Sequence, residues 1–525
     1  MKEAGMMALQ ADMTLETDVK IRMRDGVHLY ADIYRPVDEN IEYPAILSWS
    51  PYGKHLNMNT MLASMPGRVG LHKSETSGFE DFEGLDPAFY VPKGYAVFNV
   101  DIRGSWRSEG DLYFWGRQEQ IDGYDTIEHL ASLPWCNGKV GMAGNSWLAI
   151  SQWFIAAGKP PHLAAIAPWE GLTDAYRDQH RRGGMANRTM PSSLGLLVPG
   201  NGLMEEAGRM AACNPTWSEY WEDKKVDLAK ITVPAYVVAS YTSKIHVSGS
   251  FRGFRNISSR EKWLRVHPYQ EWYDFIGEQA DLLRFFDYFL KGKENGWQST
   301  PTVRSMDSYP PPKTLRRKYY LNASSGTAEE VNHPQPASCS YRAAVKGEAN
   351  FENVFRHPTT LAGYPTVRLC MHCEEHDDMD VFVLIRKLDR YGNVVEQVKF
   401  PTATRLEDMP KINTARHQGP SGMLRNSHRA MEPSTECAPG EIFHPHITED
   451  KVSPGSIVAL EFNTWPIGMF YEAGEGLRLS IGGRDLSYAE LDILPGERNC
   501  NRGAHVIHTG GEHESWNDLP FVEWD

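Results

Sequence analysis

The chain has 525 residues, too many for one hydrophobic core, so two to four domains are expected. With 41% apolar and 23% charged residues its composition is that of a globular protein, which argues against a disordered chain. The net charge of −14 argues against nucleic acid or an anionic membrane as the main partner.

The first part of the chain predicts strands that alternate with helices. A hairpin signal at Asp25-Gly26 joins the two halves of an alternating run. Such alternation is typical of a parallel sheet that helices cover on both faces. The predicted elements are a hairpin over 16–36, strands over 44–50, 94–101, 139–145 and 163–169, and a helix over 122–133.

Residues 170–226 break this rhythm. They are rich in Arg, Met, Gly and Trp, predict helices near 203–213 and 217–221, and contain no convincing strand. We interpret them as a helical cap, meaning an insertion that covers the functional edge of the sheet. Strand–helix alternation returns over 227–300, and short alternating runs from 301 to 525 predict an all-β jelly roll. The α/β domain therefore comprises 1–169 and 227–300.

Cysteine spacing and apolar runs bear on cofactors and location. Seven scattered cysteines argue against a disulfide scaffold. Cys370 and Cys373 have the C-x-x-C spacing of zinc ligands, but the alternating run around them predicts a strand, so no metal or other cofactor is expected. The first 18 residues lack the apolar stretch of a signal peptide, and no run approaches the ~18 apolar residues of a membrane span. We expect a cytoplasmic protein.

A candidate nucleophile lies where the strand 139–145 meets the next helix. Ser146 occupies a sharp turn of the nucleophile-elbow type, which raises a hydroxyl above the edge of a sheet. Gly144 supplies a small residue two positions before the serine. Two positions after it, where the G-x-S-x-G pattern has glycine, the chain has Leu148, and the small residue Ala149 comes one later. The motif indicates an α/β-hydrolase domain.

The base of a catalytic triad should follow the last strand of such a domain. His267 directly follows the predicted strand 262–266, so we predict that it accepts the proton of Ser146. His246 is the alternative base. The acid should follow the strand 233–240, yet no carboxylate follows within a few residues, and Ser243 could orient His267 by a neutral hydrogen bond. Glu271 is a further candidate for the third member if its loop folds back.

Acyl transfer also requires hydrogen-bond donors for the oxyanion that forms on the substrate carbonyl. The backbone N–H of Trp147, next to the nucleophile, is one candidate. The phenol of Tyr52, which ends an earlier strand, is the other. An ordinary turn residue after Pro51 is an equally good interpretation of Tyr52 from its position alone.

Several motifs together resemble the CocE/NonD hydrolases, the X-Pro dipeptidyl-peptidase-like group that includes cocaine esterase. The resemblance covers nearly the whole chain. It implies an α/β-hydrolase domain, an inserted helical cap and a C-terminal jelly roll, with Ser146 as nucleophile and Tyr52 and Trp147 as the oxyanion hole. It rests on Arg24–Pro36, Pro51–Lys54, Asp101–Gly110, Gly138–Trp153 and Phe470–Ser480.

The chain departs from that family at three places. The family pattern G-x-S-Y-x-G reads Gly144-Asn-Ser-Trp-Leu-Ala149 here. The aspartate position aligns best with Ser243. The loop G-P-W-x-H has its counterpart in Val266-His-Pro-Tyr-Gln-Glu271, which puts histidine where the family has glycine.

These observations predict a serine hydrolase that cleaves an ester or amide of a small molecule through an acyl-enzyme on Ser146. One alternative is an acyltransferase or cyclase, in which a group other than water intercepts the acyl-enzyme. A catalytically inactive binding homologue is the other. The family includes oligomers, so self-association stays open.

Overall fold

Two sheets organise the residues that the computed structural model describes, which are 12–54, 56–187, 189–302, 309–345, 347–490, 499 and 501–523. Within them an eight-stranded sheet belongs to the first half of the chain and a 14-stranded sheet to the second. A short two-stranded ribbon accompanies the larger sheet. The α/β-hydrolase and β-rich halves are therefore both present, as the sequence predicts.

The eight-stranded sheet is parallel except at one edge. Its spatial order is β1-β2-β4-β3-β5-β6-β7-β8, in which β1 pairs antiparallel with β2 and β2 antiparallel with β4. The pairs from β4 to β8 are parallel. The carboxyl ends of those strands meet at one edge, where ligands bind in open α/β sheets. The strands are β1 (Met13–Arg22), β2 (His28–Pro36), β3 (Tyr43–Ser50), β4 (Ala96–Asp101), β5 (Cys136–Asn145), β6 (Leu163–Trp169), β7 (Ala235–Ser240) and β8 (Lys262–His267).

Helices cover both faces of this sheet, which explains the continuous burial of its central strands. Every residue of β3, β4 and β7 is buried. The helix that follows β5 is also buried along its whole length. The helices are α1 (Met58–Ser64), α2 (Pro87–Tyr90), α3 (Arg117–Ala131), α4 (Trp147–Ala157), α5 (Thr189–Gly195), α6 (Ala207–Cys213), α7 (Glu219–Asp223), α8 (Val247–Asn256), α9 (Glu271–Gly277) and α10 (Gln279–Lys291).

Three short helices, α5, α6 and α7, occupy the connection between β6 and β7. The described part of this connection contains isolated bridges but no strand, in agreement with the pattern of the sequence. The helix α6 begins at Ala207, later than expected, because the Glu206 side chain caps it by accepting from the Arg209 N–H at 2.6 Å. The division of the chain at 169, 226 and 300 stays a prediction.

The second half of the chain consists mostly of strands. Cys370 and Cys373 lie in one of them, so the strand interpretation of their spacing is confirmed. The strands are β9 (Thr314–Asn322), β10 (Thr327–Glu329), β11 (Ala337–Arg342), β12 (Glu348–Val354), β13 (Thr359–Gly363), β14 (Thr366–Cys373), β15 (Asp380–Leu388), β16 (Val394–Val395), β17 (Gln397–Val398), β18 (Arg416–His417), β19 (Ser421–Arg425), β20 (Val458–Asn463), β21 (Ile467–Tyr471), β22 (Gly476–Gly482), β23 (Ala504–Thr509) and β24 (Trp516–Val522).

Part of the β-rich half packs against the hydrolase half. Phe400, Met409, Ile412 and Ala415 belong to the same buried apolar cluster as the core of the eight-stranded sheet. Lys399 is also buried, and its carbonyl accepts from the Gln270 N–H at 2.8 Å. This segment therefore forms a wall beside the carboxyl ends of β7 and β8. Among the described residues, every helix is too short or too polar to cross a bilayer.

Candidate active site

The turn between β5 and α4 has the strained geometry of a nucleophile elbow. Ser146 joins them with φ +57° and ψ −118°, and Trp147 is the first residue of the helix. A positive φ is uncommon for a residue with a side chain, and such strain is concentrated at functional sites. Gly144 has φ +144°, and a Cβ there would lie 2.3 Å from the Leu148 Cβ. The close approach of strand and helix therefore requires glycine two positions before Ser146.

We expect Gly144→Ala to destabilise the protein by roughly 1–3 kcal/mol, because the new methyl overlaps Leu148 and an unfavourable φ is imposed on alanine. Chemical denaturation measures this loss. Gly277→Ala is the matched control, since a Cβ at Gly277 meets no atom within 4 Å. Equal stability of the two variants would contradict the steric account of the elbow.

Two buried groups interact with the Ser146 hydroxyl, the Tyr52 phenol and the Glu83 carboxyl. Tyr52 follows β3 and is 1% exposed. Burial raises the pKa of Tyr52 well above its usual value, and the negative charges of Glu83 and Glu271 raise it further. The phenol therefore stays protonated and can donate a hydrogen bond at the rim of the elbow.

Glu83 is held against the elbow by its backbone and its side chain. It has φ +65°, and its carbonyl accepts from the Asn145 N–H at 3.1 Å. Its Oε1 accepts from the Trp272 indole N–H at 3.1 Å. Both contacts come from residues close to the carboxyl edge of the sheet. The Glu83 carboxyl is thus fixed beside Ser146 even though its own segment, between β3 and β4, contains no neighbouring strand.

The environment makes Glu83 an unusually weak acid. Burial raises its pKa to about 8, and the Glu170 charge acts in the same direction. The hydrogen bonds from Trp272 and Ser146 lower the pKa by less. A carboxyl that titrates near 8 has the basicity of a histidine, so it can accept a proton from a serine close to neutral pH.

Two further glutamates lie in the same buried cluster. Glu170 directly follows β6, has φ +60° and is 1% exposed. Glu271 is the first residue of α9, and its pKa is raised well above the usual value by burial and then by the charges of Glu170 and Glu83. Like charges near one another disfavour ionisation, so burial and these charges favour the protonated forms of Glu83 and Glu271.

His267, the predicted base, lies beside carboxylates. No described hydrogen bond joins it to Ser146. Its Nε2 lies 2.9 Å from Glu170 Oε1 and 3.4 Å from Asp274 Oδ2. Its Nδ1 accepts from the Tyr269 N–H at 3.2 Å. Asp274 in turn forms a two-pronged pair with Arg265, at 2.7 and 2.5 Å. In this arrangement Nδ1 has a hydrogen-bond partner, whereas Nε2 lies beside Glu170 without a hydrogen bond among the described residues.

His246, the alternative base, is buried with little polar contact. The residue is 1% exposed, and neither ring nitrogen has a hydrogen-bond partner among the described residues. Its Nε2 lies 3.8 Å from Glu271 Oε2, so Glu271 approaches His246 and not His267. Burial, and then the charge of Lys399, lowers the pKa of His246 to about 3. The imidazole is therefore neutral at physiological pH.

The remaining predicted residues are Ser243 and Trp147. Ser243 is buried in the loop after β7, where its N–H donates to the Ser240 carbonyl at 3.3 Å. Trp147 begins α4, so its backbone N–H lacks an acceptor within the helix. Its indole donates to Glu119 at 3.0 Å, and the Trp49 indole donates to the same oxygen at 2.8 Å. Among the described residues, no cluster of His, Cys, Asp or Glu side chains has an arrangement suited to a metal ion.

The structure thus brings Ser146, Tyr52 and the Trp147 N–H together, and leaves the histidines as neighbours of carboxylates. Sequence reasoning missed Glu83 and Glu170. Glu170 follows a predicted strand directly, so the rule that places functional groups at strand ends could have found it. Glu83 has no such signal, because only the contacts with Asn145 and Trp272 bring it to the elbow.

Comparison with known families identifies both halves of the chain. Residues 25–196 match the family described as X-Pro dipeptidyl-peptidase (S15 family). Residues 286–516 match the X-Pro dipeptidyl-peptidase C-terminal non-catalytic domain. These two matches cover the elbow and almost the whole β-rich half.

Individual relatives extend the similarity over the full length. A CocE/NonD family hydrolase from Staphylococcus aureus superimposes with a TM-score of 0.89 at 32% identity, over 97% of this chain and 94% of that chain. A putative serine esterase of Mycobacterium bovis is 24% identical over 96% of this chain and 95% of its own length. Cocaine esterase from a Rhodococcus species is 31% identical over 32% of this chain and 26% of its own length.

Proposed function

This chain belongs to the CocE/NonD family of hydrolases and is a serine hydrolase, and on that premise we propose that it cleaves an ester or amide bond of a small molecule through an acyl-enzyme on Ser146. The observation that carries the proposal is the strained elbow at Ser146, whose hydroxyl acts on the pKa of a buried phenol, Tyr52, and of a buried carboxyl, Glu83. These groups supply a nucleophile, an oxyanion donor and a base.

The reaction begins with ionised Glu83, which takes the hydroxyl proton as Ser146 Oγ attacks the substrate carbonyl carbon. The oxyanion of the tetrahedral intermediate accepts hydrogen bonds from the Tyr52 phenol and the Trp147 N–H. Protonated Glu83 then donates its proton to the leaving alcohol or amine, and the acyl group stays on Ser146. In the second half Glu83 takes a proton from water, the hydroxide attacks the ester, and the proton returns to Ser146 as the acid leaves.

Glu83 is a better candidate for the base than His267 because the Ser146 hydroxyl acts on its pKa, which is about 8, and its Oε2 has no hydrogen-bond partner among the described residues. No described hydrogen bond joins His267 to Ser146, since Nδ1 accepts from the Tyr269 N–H and Nε2 lies beside the Glu170 carboxyl. His267 as the base stays a prediction. We propose instead that His267 is a positioning residue beside Glu170.

We expect His267→Gln to lower kcat/KM by about tenfold or less, far below the 10²–10⁴-fold expected for loss of a general base. The glutamine amide places an N–H donor close to Glu170, so the carboxyl cluster should keep its arrangement. Steady-state hydrolysis of a p-nitrophenyl ester measures the loss. If His267→Gln abolished turnover while Glu83→Gln did not, His267 would be the base after all.

Tyr52→Phe is expected to lower kcat by about 10²–10³-fold with little change in KM, because it removes one oxyanion donor that acts mainly in the transition state. The ring fills the same space, so the melting temperature should stay close to that of the wild type. Steady-state kinetics with a neutral ester, combined with thermal unfolding, separates the two effects. An unchanged kcat would exclude Tyr52 from the oxyanion hole.

The names of the relatives include both ester- and amide-cleaving enzymes, cocaine esterase and putative Xaa-Pro dipeptidyl-peptidases, which supports a carbonyl substrate of either type. Hydrolysis in ¹⁸O-water puts one labelled oxygen into the released acid, whereas acyl transfer or cyclisation incorporates none. Absence of label in all products of a processed substrate would favour the transferase alternative. The cytoplasmic location and self-association stay predictions.

A further inference from the structure

A cavity of about 360 Å³ lies between the connection after β6, the loop after β7 and the β-rich half. Its volume is within the range of small-molecule pockets. Ser146 is not among its lining residues. Its walls nevertheless come from the segments that follow the carboxyl ends of β6 and β7. In the segment after β7, the lining residues Lys244 and Ile245 directly precede His246. A ligand there would lie beside the segments that carry Glu170 and His246.

Two adjacent arginines in this wall lack a carboxylate partner. Among the described residues no carboxylate oxygen lies within 4 Å of the guanidinium of Arg181 or Arg182, although both residues line the cavity. Arg181 is 3% exposed, and its Nε has no hydrogen-bond partner. Burial lowers the pKa of Arg181, and it lowers the pKa of Arg182 to about 9. Both groups are therefore charged at neutral pH, and neither guanidinium is in direct contact with a carboxylate among the described residues.

Neutral contacts hold these side chains without cancelling their charge. Arg181 donates to the carbonyls of Ala211 at 2.7 Å and Gly184 at 2.5 Å. The Arg182 guanidinium donates to the Ser421 carbonyl and lies 3.3 Å from the centre of the Trp465 ring. A guanidinium has five N–H donors, so each arginine retains donors for another acceptor. An unpaired buried charge is costly, and functional sites are where such costs are tolerated.

The acidic side chains of the cavity lie closer to other groups than to the Arg181 and Arg182 guanidinium groups. Asp380 pairs with Arg425 at 2.7 and 2.9 Å. Asp178 contacts Arg252 at 2.8 Å, and Asp485 lies 3.5 Å from Lys244. Glu449 Oε1 lies 3.5 Å from His428 Nε2. The charge of Glu449 acts on Arg181, and the charges of Asp485 and Asp178 act on Arg182, only from beyond 4 Å, so both guanidinium groups lack a direct carboxylate partner.

We propose that this cavity binds the carboxylate of an anionic organic substrate, with Arg181 and Arg182 as its recognition residues. A planar guanidinium matches a carboxylate in a two-pronged arrangement. The apolar side chains of Met185, Ile245 and Phe382 in the same wall suit an aliphatic or aromatic body attached to that carboxylate. As a statement about substrate class, the proposal rests on the hydrolase function proposed above. It narrows the substrate to an ester or amide that carries a second, free carboxylate.

The test is calorimetric binding of butyrate and of butyramide, which are similar in size and differ in charge, to Ser146→Ala protein. A charged hydrogen-bonded pair contributes about 1.5–3 kcal/mol, so we expect butyrate to bind at least about tenfold more tightly than butyramide. Arg182→Gln should remove this preference, and Arg182→Lys should retain part of it. Arg405→Gln removes one exposed positive charge outside the cavity and should keep the full preference.

Equal binding of the two compounds to the parent protein would overturn the proposal without any variant. A preference that persists in folded Arg182→Gln, as judged by thermal unfolding, would also overturn it. Since Ser146→Ala protein is used, the result does not depend on turnover. If the wild-type protein hydrolysed no ester while butyrate binding to Ser146→Ala protein still required Arg182, the anion site would be retained and the hydrolase mechanism rejected.

Discussion

Ser146→Ala is expected to lower kcat/KM by about 10⁴-fold or more, because the acyl-enzyme cannot form and the oxyanion donors alone provide only residual catalysis. The change removes one oxygen from a half-buried side chain, so folding should be unaffected. Hydrolysis of a neutral p-nitrophenyl ester, followed over hours with concentrated protein, provides the required sensitivity. Thermal unfolding checks the fold.

Ser151→Ala is the matched control for this substitution. Ser151 lies in the same helix, is fully buried, and directs its hydroxyl to the Trp147 and Leu148 carbonyls. Its removal should leave turnover within about threefold of the wild type, since only a backbone-directed hydrogen bond is lost. Retention of full activity in Ser146→Ala would reject covalent catalysis at this site.

Glu83→Gln is expected to lower kcat/KM by about 10²–10⁴-fold, the usual contribution of a general base. In the wild type kcat/KM should rise with pH and level off above about 8, because only ionised Glu83 accepts the proton. Glu83→Gln should lose this rise of kcat/KM with pH. Glu80→Gln is the matched control, since Glu80 is also a buried glutamate of this segment but hydrogen-bonds to Ser77 and Gly78. Glu80→Gln should retain the rise of kcat/KM up to pH 8.

Glu83→Gln is also expected to stabilise the fold at alkaline pH. The folded pKa of Glu83, about 8, lies above the unfolded value of about 4.3. Between these values the folded chain holds a proton that the unfolded chain has released, so stability falls as the pH rises and levels off above 8. The full loss is roughly 3–5 kcal/mol. The advantage of Glu83→Gln over the wild type in denaturation should therefore grow from pH 5 to pH 8.

A stability advantage that stays constant over this pH range would contradict a raised pKa at Glu83. Loss of the Trp272 contact does not explain such a result, because the glutamine carbonyl can accept the same indole N–H at the position of Oε1. Glu83→Gln is thus expected to lower the activity and to raise the stability at alkaline pH, the trade-off that is typical of catalytic groups.

The architecture of the hydrolase half follows from local pattern. Apolar runs of strand length separated by helices determine a parallel sheet, and a serine with a small residue two positions earlier marks the elbow. Gly144 illustrates the physical reason, since any side chain there would overlap Leu148. Tyr52 and the Trp147 N–H were accessible to the same reasoning, because each lies at the end of a strand or the start of a helix.

The proposed base, Glu83, could not be derived in this way. The rule that functional groups follow strand ends identifies His267, at the end of β8. The surroundings of its ring, however, include the Tyr269 N–H and Glu170, which is distant in sequence. When the glycine of the G-P-W-x-H loop is aligned with His267, the histidine of the loop aligns with Glu271. The chain therefore carries a carboxyl at the position where the family has its imidazole, and Glu83 arrives from a segment without periodic pattern.

The most direct test of the central claim is the rate at which a fluorophosphonate modifies Ser146 as a function of pH, in the wild type and in Glu83→Gln, with the modified residue identified by mass spectrometry. Activation of the hydroxyl by Glu83 predicts modification of Ser146 at a rate that rises with pH to a plateau above about 8, and loss of this dependence in the variant. The same midpoint in both proteins, or modification of another residue, would contradict it.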